Sequence, residues 1–267
     1  MATAGWQKLE SRFYGKKWDA IHGGYFSNPV MAAPFVETIA AAVRRHRPDA
    51  VVDLGGGSGF VLGELAKRDL GGTPRLINVD ASPDQLTAAK ARGLECLNVP
   101  AEKFTRDMAL KDGGRLMLVM RSVLHYYQAA DHLPFLLHLR RQLQEKELFL
   151  HQTLAFASPR ETAAINALYA LMRTTKAFFT PAEIAAMLAT GGFVTPKPRH
   201  LHDVPVPSNE LASRYQLGPR DIRAIIDRVG TLPGTSKVFT VTGTDSFRMF
   251  LKYYLFKCTA VPAAPAG

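Results

Sequence analysis

A glycine-rich run between two acidic residues is the part of this sequence whose residue types could do chemistry. Residues 53–59 read D-L-G-G-G-S-G after a short apolar run, and Asp80 ends the next apolar run, 21 residues after Gly59. Glycines let the backbone turn tightly and approach a ligand closely, and the helix that follows offers unpaired N–H groups. A carboxylate at position 80 can accept hydrogen bonds from both hydroxyls of a ribose. The candidate cofactor-binding residues of this motif are Asp53, Gly55, Gly56, Gly57, Gly59 and Asp80.

The spacing of these glycines decides between two kinds of cofactor. A nicotinamide-dinucleotide fingerprint needs G-x-G-x-x-G. Counted from Gly55 the sixth position is Phe60, and counted from Gly57 it is Leu62, so neither frame fits. The pattern that fits without a gap is D-x-G-x-G-x-G, in which Asp53 precedes the turn. A carboxylate there would repel a pyrophosphate but suits a cationic amino acid.

Strand patterns alternate with helical patterns from about residue 50 onward. Apolar runs predict strands over residues 50–54, 75–80, 93–97, 115–120 and 147–154, and helical patterns lie between them. Alternation at this spacing predicts right-handed βαβ units and a parallel sheet, which is the α/β class with a doubly wound, Rossmann-like sheet. Ligands of such sheets bind beyond the carboxyl ends of the strands, near the point where the strand order reverses.

Helical segments flank the α/β region, which we place at residues 49–258. Residues 1–48 predict an N-terminal helical cap, and residues 155–190 predict two further helices inserted after the fifth strand. We expect the cap and the inserted helices to form a lid over the substrate. Residues 259–267 are rich in proline and alanine and predict a disordered tail.

The composition is that of an ordinary soluble globular protein apart from its charge. The 267 residues include 33 Lys and Arg against 23 Asp and Glu, which gives a net charge of +10. A polyanionic partner is one interpretation, but the basic groups are scattered among helical patterns and favour solvated helix faces. No apolar run approaches the ~20 residues of a membrane-spanning helix, and the first residues lack a secretory signal. We expect a cytoplasmic protein without a membrane partner.

Metal and thiol chemistry find no support in the sequence. The two cysteines, Cys96 and Cys258, exclude a disulfide scaffold and a Cys-rich zinc module. His125, His132 and His138 are spaced by seven and six residues, which does not place them on one helical face. Since no set of histidines has structural-zinc spacing, we predict no metal site.

Five segments, in order along the chain, resemble the motifs of class I S-adenosylmethionine-dependent methyltransferases. Residues 51–60 resemble the glycine-rich first motif of this family, and Asp80 matches the acidic residue that binds the adenosine ribose. Residues 101–102 resemble the segment beside the adenine, residues 120–127 the exit of the fourth strand, and residues 179–193 the T-x-x-E…G-F helix. The resemblance implies a sheet of about seven strands with an antiparallel last strand, and S-adenosyl-L-methionine as the cofactor.

The resemblance also implies contacts to the cofactor beyond the first motif. The residues that it adds to the cofactor site are Ala81, Ala101, Glu102, Arg121 and Ser122. Pro100 stands where the family often has an aspartate at the adenine amine, which leaves Glu102 or backbone groups for that contact.

His125 is the candidate catalytic residue. It belongs to Val123-Leu124-His125-Tyr126, which resembles the V-L-H-H that small-molecule methyltransferases often carry after the fourth strand. An oxygen acceptor would need deprotonation, and a histidine suits this role because its ordinary pKa lies near neutrality. A carbon acceptor activated by its own enol would need no base. Aromatic walls suit a sulfonium, and the aromatic candidates for the substrate site are Tyr14, Trp18, Tyr25 and Tyr126.

Together these features predict methyl transfer from S-adenosyl-L-methionine to a small-molecule acceptor by in-line displacement at oxygen, nitrogen or carbon. Two alternatives stay open. The net charge leaves open a structured-RNA methyltransferase, although nucleic acid is the less favoured partner because no recognition module is visible. The lack of an obvious acid–base pair leaves open a non-catalytic subunit that binds the cofactor beside a partner. A homodimer is compatible with the sequence, which does not decide the oligomeric state.

Overall fold

The computed structural model describes residues 21–111 and 113–261. The strands are β1 (Ala50–Leu54), β2 (Arg75–Val79), β3 (Glu95–Leu97), β4 (Leu116–Arg121), β5 (Leu148–Leu154), β6 (Phe193–Val194), β7 (Arg199–Pro207), β8 (Phe239–Gly243) and β9 (Ser246–Ala260). The helices are α1 (Pro29–His46), α2 (Phe60–Leu65), α3 (Pro83–Ala91), α4 (Arg106–Ala109), α5 (His132–Arg141), α6 (Pro159–Leu171), α7 (Pro181–Thr190), α8 (Ser208–Tyr215) and α9 (Pro219–Val229). Short helical turns cover Ile21–Gly24, Tyr25–Ser27, Ala101–Lys103, Leu124–Tyr126 and Ala129–Asp131.

The central sheet has the strand order β3-β2-β1-β4-β5-β9-β6. Strands β1 to β5 pair in parallel, and β9 runs antiparallel to β5 and β6. Strands β1, β4 and β5 are buried along their whole length, because helices cover both faces of the sheet. This architecture confirms the predicted doubly wound α/β class with an antiparallel last strand. The strand order reverses between β1 and β4, so a ligand crevice is expected where these two strands end.

Alternate residues of the strands feed two cores on opposite faces of the sheet. Val52 and Leu54 of β1 belong to the core beneath α5 and α7, whereas Val51 belongs to the core beneath α1 and α2. Asp53 shares the face of Val51 and is fully buried there. A carboxylate in the middle of a buried strand is costly, which singles it out for a role other than packing.

Strand β9 is 15 residues long and extends beyond the central sheet. Its C-terminal half pairs with β5, and its N-terminal half pairs with β7 and β8. Helices α6, α8 and α9 pack on this extension and form a third core with it. The two additional strands explain why the structure has nine strands within the described residues, where the sequence predicted about seven.

Two predicted segments differ in detail from the structure. Thr259 and Ala260, which the sequence assigned to the disordered tail, are paired with β5 and β6 as the end of β9. Of the two helices in residues 155–190, α7 buries Ile184 and Leu188 in the core of the sheet and so covers the sheet itself. Helix α6 packs instead beside the extension of β9. The first 20 residues of the predicted cap and residues 262–267 of the tail lie outside the described residues.

No helix in residues 21–111 and 113–261 is long and apolar enough to cross a membrane.

Candidate functional site

The glycine loop after β1 has backbone angles that only glycine adopts readily. Gly55, Gly57 and Gly59 have φ values of 69°, 55° and 74°, in the left-handed region that costs other residues energy. The N–H of Gly55 donates to the carbonyl of Val79 over 2.7 Å, which ties the loop to the end of β2. Gly59 then begins α2 at its N-cap position. The loop therefore turns the chain sharply at the edge of the sheet and leaves its backbone open to a ligand.

Gly56 is required by close packing rather than by its backbone angles. A Cβ atom at this position would lie 2.1 Å from Oδ1 of Asn78 and 2.8 Å from Oδ2 of Asp53. A Cβ on Gly55 would similarly lie 2.6 Å from Cγ2 of Val123, in the segment after β4. The glycine loop is thus wedged between the ends of β2 and β4, at the reversal of the strand order.

Asp80 holds the glycine loop from the neighbouring strand end. Its Oδ2 accepts a hydrogen bond from the N–H of Gly57 over 2.9 Å, and its Oδ1 accepts one from the N–H of Ser82 over 2.8 Å. Burial raises the pKa of Asp80, and backbone hydrogen bonds from Ser82, Gly57 and Ala81 oppose that rise. A carboxylate has about four lone-pair sites, so this half-buried side chain keeps capacity for the hydroxyls of a ribose. Ala81 is exposed beside it.

Asp53 is the least satisfied polar group of the site. It is fully buried, and neither of its carboxylate oxygens has a hydrogen-bond partner among the described residues. Burial raises its pKa to about 7, against the lowering effect of the Arg121 charge, while Asp80 adds to the rise. A buried carboxylate without donors can complement a cationic group that enters the site.

Asn78 is a site residue that the sequence reasoning missed. It lies in β2 opposite Asp53 and is fully buried. Its Nδ2 donates to the carbonyl of Gly57 over 2.9 Å, so it fixes the glycine loop from below. The signal that could have found it is the single polar residue inside the apolar run of β2.

Ala101 and Glu102 lie in a short helical turn after β3, as the resemblance implied for the adenine side. Ala101 is buried, and Glu102 is half-buried. The hydroxyl of Tyr127 donates to Oε2 of Glu102 over 2.9 Å, and the Tyr127 ring stacks on Phe135. This contact joins the turn after β3 to the segment after β4, so both sides of the crevice are held at a fixed distance.

Arg121 and Ser122, two predicted cofactor contacts, lie at the end of β4 and make hydrogen bonds within the protein. The Arg121 guanidinium donates to Oε1 of Gln152 and to the carbonyls of Tyr25 and Phe26, over 3.1 to 3.2 Å. Ser122 has a positive φ of 61°, and its N–H donates to the carbonyl of Gln152 over 2.8 Å. The buried Arg121 charge is also close enough to Asp53 to lower its pKa. Arg121 therefore connects the end of β4 to residues 25 and 26.

Residues 22–26 form a segment that we call the N-terminal strap. The ring of Tyr25 stacks on Tyr253 at 4.5 Å between centroids, and its hydroxyl accepts from Nε2 of Gln152 over 2.6 Å. His22 Nδ1 lies 2.7 Å from Oε1 of Glu210 in α8. Tyr25 is consequently a buried anchor of the strap, where the sequence predicted a substrate contact. Tyr14 and Trp18 lie outside the described residues.

The candidate base His125 lies in the turn after β4, with its ring between aromatic neighbours. It stacks on Phe178 at 5.7 Å and contacts Tyr126 at 4.5 Å between centroids. Its Nδ1 is buried without a hydrogen-bond partner among the described residues. Burial lowers the pKa of His125 well below its usual value, and the charge of Lys176 adds to that lowering. The imidazole is therefore neutral at pH 7 and can accept a proton, although as a weak base.

Lys176 lies beside Tyr126, close to His125, and is another residue that the sequence patterns did not indicate. Its ammonium lies 4.3 Å from the centroid of the Tyr126 ring and donates to the Tyr215 hydroxyl over 3.0 Å. Tyr126 therefore lies beside both His125 and Lys176. Its contact with the substrate stays a prediction. Within the ranges that the structure describes, no group of three His, Cys, Asp or Glu could hold a metal ion.

The residues at the end of β1 and β2 fit S-adenosylmethionine. The glycines let the loop pack against the ends of β2 and β4, where a Cβ on Gly55 or Gly56 would collide. Asp80 keeps acceptor capacity for a ribose, and Asp53, which has no hydrogen-bond partner among the described residues, complements a positive charge. A pyrophosphate beside the glycine loop would be repelled by the buried carboxylate of Asp53, which disfavours a nicotinamide dinucleotide.

No family model matches the chain. One curated relative, an uncharacterized methyltransferase of Schizosaccharomyces pombe, is 23% identical over 150 residues. This match covers 55% of each protein, so the chain spans about half the length of the curated relative it matches.

Solved structures match most of the chain. The YcgJ protein of Bacillus subtilis is 14% identical, with a TM-score of 0.63 over 85% of this chain and 98% of that chain. The 1,6-didemethyltoxoflavin-N1-methyltransferase of Burkholderia thailandensis, with 1,6-didemethyltoxoflavin and S-adenosylhomocysteine bound, is 13% identical, with a TM-score of 0.53 over 98% and 92%. A chain from the complex of the Haloferax volcanii Trm112 methyltransferase activator with a methyltransferase is 17% identical, with a TM-score of 0.55 over 99% of both.

These likenesses and the strand order establish the fold of the chain. The chain has the fold of the class I S-adenosylmethionine-dependent methyltransferases, which confirms the resemblance seen in its sequence motifs. At these identities the likeness establishes the fold, and the reaction is argued from the site.

Proposed function

We propose that this protein transfers a methyl group from S-adenosyl-L-methionine to a small-molecule acceptor. The observation that carries the proposal is the arrangement at the reversal of the strand order. There the glycine loop lies between Asp80, which bonds to its backbone, and Asp53, which has no partner among the described residues. The fold supports the proposal, because structures with this fold include a methyltransferase solved with S-adenosylhomocysteine bound.

The roles of the cofactor-side residues follow from their chemistry. Asp80 would bind the ribose hydroxyls, Ala101 and Glu102 would lie beside the adenine, and Asp53 would face the positive charge of the cofactor. When bound, S-adenosylmethionine supplies a methyl group already activated by its sulfonium. The protein therefore needs mainly to hold the acceptor in line with it and to exclude water. The strap is bonded to Arg121 at the end of β4 and would help to exclude water there.

The acceptor side favours a small, flat molecule. His125 and Tyr126 are buried rings in the turn after β4, and the buried Phe178, from the loop before α7, stacks on His125. Such an enclosed site suits a single small acceptor better than a folded RNA. If the acceptor is a hydroxyl, Nδ1 of His125, which has no hydrogen-bond partner among the described residues, can take its proton.

Calorimetric titration with S-adenosylmethionine and S-adenosylhomocysteine tests the proposal, with NAD and NADP as controls. We expect micromolar binding of the two sulfur compounds and none of the nicotinamides. Binding of a nicotinamide alone, or of none of the four, would overturn the assignment of the cofactor.

The two alternatives give different results in the next assay. The likeness to a methyltransferase solved with an activator protein favours testing a cofactor-binding subunit that needs a partner. Such a subunit would bind S-adenosylhomocysteine but release none from S-adenosylmethionine with any acceptor in a small-molecule screen. A structured-RNA methyltransferase would show RNA binding that weakens steeply with salt.

A further inference from the structure

Asp53 and Asn78 face each other across two neighbouring strands. They are register partners in the parallel pair β1 and β2, so their side chains leave the same face of the sheet side by side. Both side chains also reach the same spot beneath the glycine loop. Oδ2 of Asp53 and Oδ1 of Asn78 lie within 2.8 Å of the point that a Cβ on Gly56 would occupy.

The orientation of the Asn78 amide is fixed by the loop. Its Nδ2 donates to the carbonyl of Gly57, which leaves Oδ1 as the atom that lies towards Asp53. Oδ1 of Asn78 and both oxygens of Asp53 are buried and have no hydrogen-bond donor among the described residues. An ionised Asp53 would therefore place acceptor against acceptor in a buried site, which is costly. If the amide were turned, Nδ2 of Asn78 would lie towards Asp53, but the carbonyl of Gly57 would lose its donor and become the unpaired acceptor.

One proton removes this conflict. A protonated Asp53 donates through its O–H, and the amide oxygen of Asn78 is the acceptor at hand. The charged groups that act on Asp53 are Arg121 from the end of β4, which favours its ionised form, and Asp80 from the end of β2, which disfavours it. Together with burial they hold the pKa of Asp53 at about 7, so the carboxyl is half protonated at neutral pH.

We propose that Asp53 and Asn78 share a proton in the cofactor-free protein and that the positively charged cofactor displaces this proton to solvent. The inference rests on the proposed function. On binding, the O–H bond of the Asp53 carboxylic acid breaks, the proton passes to water, and the carboxylate that remains pairs with the cation. Asp80 differs, because its oxygens already accept backbone N–H groups that stabilise its charge.

The coupling gives cofactor affinity a defined dependence on pH. The bound state carries fewer protons than the free protein, so affinity rises with pH and levels off once Asp53 is ionised in both. With a pKa of about 7, the dissociation constant of S-adenosylmethionine should be roughly tenfold larger at pH 6 than at pH 8. A flat profile between these values would overturn the inference.

Calorimetry in buffers of different ionisation enthalpy counts the proton directly. We would titrate S-adenosylmethionine at pH 6.5 in phosphate, ACES and imidazole, with the intact chain and two variants. The parent protein should release somewhat less than one proton per cofactor bound, roughly 0.7. Asp53→Asn, which imitates the protonated side chain, should release close to none. Asp84→Asn, in the first turn of α3, is the matched control and should release as many as the parent.

The outcomes separate this inference from the function beneath it. Binding without proton release in the parent, or equal release from parent and Asp53→Asn, would overturn the proton pair and leave the cofactor assignment in place. A loss of release in Asp84→Asn equal to that in Asp53→Asn would likewise overturn it, because the change would then follow the net charge of the protein and not the Asp53–Asn78 pair. Absence of any binding to the parent would remove the proposed function and this inference with it.

Discussion

The two sides of the crevice are built in different ways. The cofactor side comes from residues 53–59 and 78–82, two neighbouring strand ends joined largely through backbone atoms. The acceptor side is assembled from the N-terminal strap, the segment after β4, the loop before α7, and α8. Its contacts are made by side chains far apart in sequence, such as His22 with Glu210.

The cofactor side would therefore bind the same cofactor whatever the substrate is, whereas the acceptor side would determine which substrate is methylated. Backbone angles and one carboxylate suffice to recognise a loop-bound nucleoside, so the cofactor side depends on a few residues close together in the chain. Side chains from separate segments can each change without disturbing the sheet, so the acceptor side can be fitted to a particular substrate. Variants on the two sides should therefore separate cofactor binding from turnover.

The largest effect is expected on the acceptor side. His125→Ala should lower turnover roughly 10²- to 10⁴-fold while cofactor affinity stays unchanged, as measured by release of S-adenosylhomocysteine with an acceptor found by screening. Since the pKa of His125 lies well below its usual value, the base is already neutral at pH 6.5, and its ionisation should leave the rate flat above that pH. Turnover within a few-fold of the parent would make His125 a packing residue.

A methyl group in the glycine loop should act on the cofactor alone. Gly56→Ala brings a Cβ to 2.1 Å from Asn78 Oδ1, so the loop must shift and affinity for S-adenosylhomocysteine should fall roughly 100-fold. Gly63→Ala is the control in α2, where the nearest atom to a new Cβ is 3.6 Å away. The control should bind like the parent. Equal binding by both variants would mean that the loop does not hold the cofactor.

Removing the carboxylate of Asp80 should have the next largest effect. Asp80→Ala should weaken binding of S-adenosylmethionine by roughly 1.5–3 kcal/mol, the scale of a lost charged hydrogen bond. Asp84→Ala, in the first turn of α3, is a matched control that removes a nearby negative charge. Calorimetry on the two variants distinguishes a contact from a general charge effect, and unchanged affinity in Asp80→Ala would remove Asp80 from the site.

The smallest effect is expected from loosening the strap. Tyr25→Phe removes the hydroxyl that accepts from Gln152 over 2.6 Å, a loss of about 1 kcal/mol in strap stability. Hydrogen exchange of residues 22–26 should become roughly fivefold faster, with cofactor affinity unchanged. Tyr254→Phe, one residue beyond the stacking partner Tyr253, should leave that exchange as in the parent. Faster exchange in the control as well would mean that the strap is not held by this bond.

The sequence predicted the part of the site that is formed by residues close together in the chain. The D-x-G-x-G-x-G run and Asp80 predicted the cofactor side, and the structure places them together because adjacent parallel strands end at the same edge. The five parallel strands were also predicted, since buried strands form continuous apolar runs. The role of Asn78 was missed, because a lone polar residue in a strand has no motif of its own.

The extension of the sheet and the strap were beyond sequence reasoning for physical reasons. Strand β7 contains Pro205 and Pro207, which favour a loop, yet it pairs along one side with β9, where prolines are tolerated at a sheet edge. The contacts of Arg121 with the carbonyls of Tyr25 and Phe26 span about a third of the chain. Nothing in the local pattern of either segment indicates such a pairing.

The glycine loop and Asp80 are the residues that we expect to bind S-adenosylmethionine or its product. Hydrogen exchange of the whole chain, with and without saturating S-adenosylhomocysteine, tests this most directly because it locates the ligand without an acceptor. We predict slower exchange in peptides that cover residues 55–59 and 80–82, with no such change on addition of NADP. Protection confined to other segments, or the same protection by NADP, would contradict the claim.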